Sequence, residues 1–263
     1  MANDQLLTSI DELGRATLTL NRPEVHNAFD DLLIAEMTAA LKRLAADPQV
    51  RLVCLAATGK SFSAGADLGW MRRMADYSHA ENLKDAMALA ELMRTLNELP
   101  KPTLALVQGA AFGGGVGLVA CCDIVLAAPA AKFCLSEVKL GLIPAVISPY
   151  VVAAIGARAA RRYSISAERF DAERALQLGL IHEIVPTEAL AEEADRLGRL
   201  LLQNGPQAMA AAKLLVADVC RSPLNAELIA ETAERISVTR ASDEGREGLS
   251  AFLEKRRPDW VKG

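Results

Sequence analysis

The sequence predicts an α/β protein, and three observations carry the prediction. Short apolar runs of strand character alternate with stretches of helical periodicity, glycine clusters stand where strands give way to helices, and the final third turns Ala-, Leu-, Glu- and Arg-rich. The 263 residues suffice for one large domain, or one domain with a helical appendage. A composition 51% hydrophobic and 24% charged excludes a disordered or collagen-like chain.

The elements follow in order. Ala16, Leu18 and Leu20 alternate with Thr17 and Thr19 after a turn at Gly14, the pattern of a half-buried hairpin strand. From Asp30, the residues Leu33, Ile34, Met37, Leu41 and Leu44 recur at helical spacing until Asp47-Pro48 stops them. Val50 to Ala57 reads as a buried strand. Ser78 to Glu81 has capping-box spacing and opens a long helix ending at Leu99-Pro100. A second apolar strand, Thr103 to Gln108, runs into Gly109 and the Gly113-Gly114-Gly115 triplet. Val116 to Cys122 then reads as a short buried helix, and Asp123 to Ala127 and Lys132 to Leu135 flank a turn at Pro129. After Val185-Pro186 come helices broken at Gly205-Pro206 and Ser222-Pro223 and ending near Arg257-Pro258. No low-complexity linker intervenes, so this region should pack on the core or on a neighbouring subunit.

Several function classes are excluded. Lys and Arg number 29 against 33 Asp and Glu, a net charge of −4 without a basic block, so no footprint for nucleic acid is visible. No apolar run approaches the roughly 20 residues that span a bilayer, and Met1 to Gln5 lacks the charged start of a secretory leader. No membrane association and a cytoplasmic location are the expectation. Cys54, Cys121, Cys122, Cys134 and Cys220 form no C-x-x-C pair and read as buried, reduced thiols rather than metal ligands. His26, His79 and His182 match no metal or triad spacing. Gly59-Lys60-Ser61 resembles the end of a phosphate-binding loop, but position 54 is cysteine where that loop needs glycine. A dinucleotide fingerprint read from Gly113 fails at Leu118, and there is no G-x-S-x-G elbow.

Two glycine-rich stretches remain, Ser61 to Leu68 and Gly109 to Gly115, whose small residues let backbone N–H groups approach a ligand closely. The second leads straight into a helix, so its amides would face an anion or a polarised carbonyl along the helix dipole. Tight strand-to-helix packing by glycine alone is the competing explanation.

The series Leu20-Asn21-Arg22-Pro23-Glu24-Val25-His26-Asn27-Ala28, Phe62 to Leu68, Gly113-Gly114-Gly115, Cys122-Asp123-Ile124 and Gly141-Leu142-Ile143-Pro144 resembles the crotonase (enoyl-CoA hydratase/isomerase) superfamily. The resemblance covers nearly the whole chain, through the terminal helix carrying Phe252 and Lys255. It implies a ββα spiral core over residues 1–186 and a helical trimerisation region over 187–263, assembled as a homotrimer or a dimer of trimers. It also implies an acyl-CoA substrate, with coenzyme A part of that substrate and no other cofactor. By the same resemblance the N–H groups of Ala66 and Gly114 hold the thioester oxygen. Arg22, Val25, Ala64, Asp67 and Leu68 lie along coenzyme A, Phe252 and Lys255 also bind coenzyme A or substrate, and Lys255 and Arg256 reach the coenzyme A phosphates of an adjacent subunit. Hydratases of the family use two glutamates. Glu137 matches the second; the first is replaced by Gly117, which should leave open volume opposite Glu137.

The stretches Gly109 to Gly117 and Ser136 to Tyr150 most resemble a bacterial branch of methylglutaconyl-CoA and isohexenylglutaconyl-CoA hydratases of leucine and terpenoid breakdown. Such substrates carry a second carboxylate and call for a cation in the acyl pocket. Trp70, Met71 and Arg72, with Arg73, stand where the family lines that pocket, though two adjacent arginines on a helix cannot both point inward. The expected activity is a hydratase (lyase) acting on a branched, carboxylated enoyl-CoA. The alternatives are an enoyl-CoA isomerase using the single glutamate, and a non-catalytic acyl-CoA- or RNA-binding relative.

Overall fold

The computed structural model describes residues 5–261, so Met1 to Asp4, read for a leader, lie outside it. The chain opens with the antiparallel hairpin β1 (Leu6–Ile10) and β2 (Arg15–Leu20), in which Leu6 pairs with Leu20 and Ile10 with Ala16. Ala16, Leu18 and Leu20 are fully buried, as the alternation predicts. Helix α1 (Asp31–Ala46) starts where the Asp30 carboxylate accepts from the Leu33 N–H, and it buries Leu33, Ile34, Met37, Leu41 and Leu44.

A unit of long strand, short strand and helix then repeats. It comprises β3 (Leu52–Ala57), β4 (Ser61–Ser63), α2 (Leu68–Met74) and α3 (His79–Asn97); then β5 (Thr103–Val107), β6 (Ala110–Phe112) and α4 (Gly114–Ala120); then β7 (Ile124–Ala127), β8 (Lys132–Cys134) and α5 (Ser148–Ser166). The long strands join a six-stranded sheet, in which β2, β3, β5 and β7 are parallel neighbours. The short strands β4, β6 and β8 stack in parallel in a second, four-stranded sheet closed by β9 (Phe170–Asp171). Helix α6 (Ala172–Leu178) leads to β10 (Glu183–Ile184) at the edge of the larger sheet. This is the α/β spiral expected from the sequence.

Each turn of the spiral lies against the next. At the corner between β5 and β6, a Cβ on Gly109 would sit 2.0 Å from the Lys60 carbonyl oxygen of the corner between β3 and β4, so only glycine lets the two backbones meet. Parts of the glycine-rich stretches read as loops are therefore strands, β4 and β6. Their three residues are too few for an alternation to show, and Ser61, Phe62 and Ser63 are all buried.

Helix α7 (Leu190–Leu202) lays Leu190, Ala194 and Leu197 against Leu52, Cys54, Leu104 and Leu126 of the larger sheet, so the helical region begins as a layer of the core. Helices α8 (Pro206–Arg221), α9 (Ala226–Ala241) and α10 (Asp243–Leu253) differ. Between them they bury only Leu228 and Ala251, while Val216, Ile236, Val238 and Phe252 stand exposed. Cys220 on α8 is exposed too, which corrects its reading as a buried thiol; the other four cysteines are buried and all five are free. Burial pushes the Cys54 thiol up to about 11, which makes it inert as a nucleophile. Among the described residues no helix is long and apolar enough to cross a membrane, and no group of three metal-ligating side chains converges.

Candidate active site

A cleft of 360 Å³ opens between the glycine-rich turns on one side and α2 and α3 on the other. Of the residues singled out from the sequence, it brings together Ala64, Ala66, Trp70, Met71, Gly114 and Glu137.

The Ala66 N–H is free because of how its neighbours pair. Phe29 donates to the Gly65 oxygen at 2.8 Å and Asp67 donates to the Phe29 oxygen at 3.0 Å, which fixes the backbone on both sides of Ala66 and leaves its own N–H out of the pairing. Gly114 is the first residue of α4, so its N–H has no partner within the helix. The two turns are in contact: a Cβ placed on Gly65 would lie 2.9 Å from the Phe112 oxygen and 3.7 Å from the Gly114 nitrogen. Gly113, with φ 51° and ψ −123°, has a backbone conformation closed to other residues, and it is this twist that starts the helix at Gly114. Two main-chain donors without a protein partner thus stand on adjoining turns, the donor type that a developing oxyanion requires.

Glu137 begins a short 3₁₀ turn after β8, Glu137–Leu140, and its carboxylate rests against Gly113, 3.4 Å from where a Cβ would be. Its Oε2 is buried without a hydrogen-bond partner. Burial raises its pKa above the usual carboxylate range, opposed only by its own backbone N–H. A carboxyl whose pKa is raised by burial, in the same cleft as two unpaired main-chain N–H groups and free of any ion pair among the described residues, is equipped to move a proton to or from carbon. It is not a surface carboxylate in a salt bridge.

Arg22 and Asp67 are engaged with one another. Arg22 donates to Asp67 Oδ2 at 3.0 Å and to the Ala28 oxygen at 2.7 Å, and lies 3.6 Å from Asp30. Asp67 also caps α2, accepting from Gly69 and Trp70. Burial acts to raise its pKa, but the two backbone N–H groups and Arg22 outweigh that and hold the carboxyl below its ordinary value. These two residues brace the turn that presents Ala66. Val25 and Leu68 are exposed outside the cleft; Phe252 lies on α10 and Lys255 in the turn that follows it, neither of them lining the cleft.

Two expectations are corrected. The replacement of glutamate by Gly117 leaves no open volume, because a Cβ there would lie 2.2 Å from Ile147 Cγ2 and 3.1 Å from Met93 Cε; Gly117 is buried behind the cleft wall. Arg72 is exposed and does not line the cleft, and Arg73 turns outward to pair with Asp31. Among the described residues no Lys or Arg lines the cleft, so the expected cation for a second substrate carboxylate is missing. The tight packing behind Gly117 depends on a side chain thirty positions along the chain, which no local pattern announces.

Sequence reasoning missed Asp85. It faces the cleft from α3, where its Oδ2 accepts from the Trp70 indole N–H at 2.8 Å. The capping box and the Leu99-Pro100 stop place α3, but nothing in its local pattern singles out Asp85. His26 and His182 have structural partners, Ser61 Oγ at 3.0 Å and the Val125 N–H at 3.0 Å.

Comparison with known proteins agrees with this geometry. Residues 12–263 match the family described as enoyl-CoA hydratase/isomerase. An enoyl-CoA hydratase structure from Shewanella pealeana superposes with a TM-score of 0.95 at 50% identity, covering 97% of this chain and 96% of that one. The 2,3-dehydroadipyl-CoA hydratase of Escherichia coli is 32% identical across 92% of this chain and 93% of its own. The 1,2-epoxyphenylacetyl-CoA isomerase of the same organism is 34% identical across 95% of this chain and 96% of its own.

Proposed function

The chain belongs to the enoyl-CoA hydratase/isomerase family, and from that premise we propose that it adds water across the α,β double bond of an enoyl-CoA thioester. The observation that carries the reading is Glu137, whose Oε1 rests against Gly113 and whose Oε2 is buried without a partner, in the same cleft as the unpaired Ala66 and Gly114 amides. With the thioester oxygen between those amides, Glu137 takes a proton from water as the hydroxyl bonds to Cβ. The electron pair of the double bond moves to the thioester, where the two N–H groups stabilise the enolate by several kcal/mol, of order 3 kcal/mol per donor. Glu137 then returns its proton to Cα, so one water is consumed and the glutamate is regenerated.

The acyl wall is apolar, built from Trp70, Met71, Leu89, Val146 and Ile147, and suits a short or branched hydrocarbon chain. Without a cation, the carboxylated substrates of leucine and terpenoid breakdown have no anchor on this wall. The exposed Ala64, Val25 and Leu68 beside Ala66 are the surface proposed to meet coenzyme A. Phe252 and Lys255 would serve the coenzyme A of an adjacent copy, which accords with the uncovered apolar positions of α8 to α10.

Isomerisation is the second reading, favoured by the absence of a second carboxylate at Gly117. The same Glu137 would take a proton from one carbon and return it to another, with no change in mass. Mass analysis of products from 2-enoyl- and 3-enoyl-CoA of the same chain decides: gain of one water supports the hydratase, and a shifted double bond without water supports the isomerase.

A further inference from the structure

We propose that Asp85 sets the acyl selectivity of the cleft by rejecting thioesters whose acyl chain ends in a carboxylate. The proposal rests on the reading of the cleft as an enoyl-CoA site and adds the class of acyl group that it takes. Asp85 and Glu137 are the only ionisable acids or bases among the described residues lining the cleft, and no cation offsets them. Glu137 has its role at the reacting carbons. Asp85 stands on the opposite wall, on α3, with Asn82 one turn before it on the same face.

The donors of the Trp70, Asn82 and Asp85 side chains on this wall are engaged within the protein, and acceptors alone are left over. One Asp85 oxygen holds the Trp70 indole N–H, and the other has no protein partner among the described residues. The Asn82 amide gives both its bonds to the main-chain oxygens of Tyr77 and Ser78, at 3.1 and 3.2 Å, and only its carbonyl oxygen remains unengaged. A carboxylate entering here would meet a like charge and no donor, in surroundings otherwise formed by Trp70, Met74 and Leu89. Like charges held together at a partly desolvated site weaken binding strongly, whereas a neutral chain of the same length escapes that repulsion. The Asp85–Trp70 bond gives the arrangement rigidity, since the buried indole fixes the carboxylate in place.

The test uses non-reacting saturated thioesters, so it reads binding alone. Glutaryl-CoA and its terminal methyl ester, equal in acyl length and different in charge, are titrated calorimetrically into the full-length protein. The wild type should bind the methyl ester at least tenfold more tightly. In Asp85→Asn, which keeps an acceptor for the indole, the preference should shrink to less than threefold. Equal binding of the two ligands by the wild type, a comparison that needs no variant to fold, would overturn the assignment. So would a tenfold preference that survives in Asp85→Asn. If neither thioester binds, the reading of the cleft as an acyl-CoA site falls, and the proposal with it.

Discussion

Ile147 fills the space beside Gly117: a Cβ on the glycine would lie 2.2 Å from Ile147 Cγ2 and 2.9 Å from Ile147 Cβ. The contact involves the branched root of the side chain, so a small rotation cannot relieve it. Gly117→Ala should therefore destabilise the protein by about 1–3 kcal/mol through overpacking. Ile147→Ala alone should cost about 2–5 kcal/mol by leaving a cavity. The double variant should be more stable than the sum of the two losses predicts, since each change relieves the other. Urea unfolding of the four proteins measures this coupling, and strict additivity would contradict the packing described. A second carboxylate introduced by Gly117→Glu meets the same obstacle and cannot recreate a two-glutamate site while Ile147 is in place.

Glu137→Gln should lower kcat by about 10²–10⁴, the usual contribution of a general acid-base group. The dissociation constant for a saturated acyl-CoA should change little, because the amide keeps the size of the carboxyl. Steady-state kinetics with calorimetry separates the two effects. A variant retaining a tenth of wild-type kcat would move the proton transfer to another group.

The same substitution has a pH-dependent effect on stability. Burial raises the Glu137 pKa in the folded state, so the carboxyl favours folding only while protonated in both states, and the benefit is lost as pH rises through the raised value. Gln carries no such dependence. The Tm of Glu137→Gln relative to wild type should accordingly be higher at pH 7.5 than at pH 4. A Tm difference independent of pH would show that the carboxyl is as well solvated folded as unfolded.

Light scattering at micromolar concentration should give a trimer or hexamer of the 28.1 kDa chain. Val216, Ile236 and Val238 are between 55 and 63% exposed on helices that bury almost nothing of their own. Asp in place of Val238 should reduce the assembled mass. A monomeric wild type would contradict the proposal.

How far the sequence could be read depended on the range of the interactions involved. The capping box at Ser78 and the apolar stripe of α1 are set by neighbours within one or two helical turns, and both form as expected. The family resemblance singles out the Ala66 and Gly114 amides, while the glycine-rich stretches by themselves show only that a backbone could approach a ligand closely there. Ile147 behind Gly117, Asp85 bonded to Trp70 and the outward turn of Arg73 depend on contacts between separate elements, which no local pattern carries. Strands β4 and β6 escaped notice for a related reason, since they exist through pairing with one another and with β8.

The pinned backbone around Ala66 also makes the site a reporter of its own occupancy. Phe29 and Asp67 give their amide hydrogens to protein oxygens on either side, while the Ala66 hydrogen is left to solvent. In deuterated buffer, Ala66 should exchange quickly between slowly exchanging neighbours and become protected when a thioester oxygen arrives. One amide can thus signal ligand binding in the absence of any turnover.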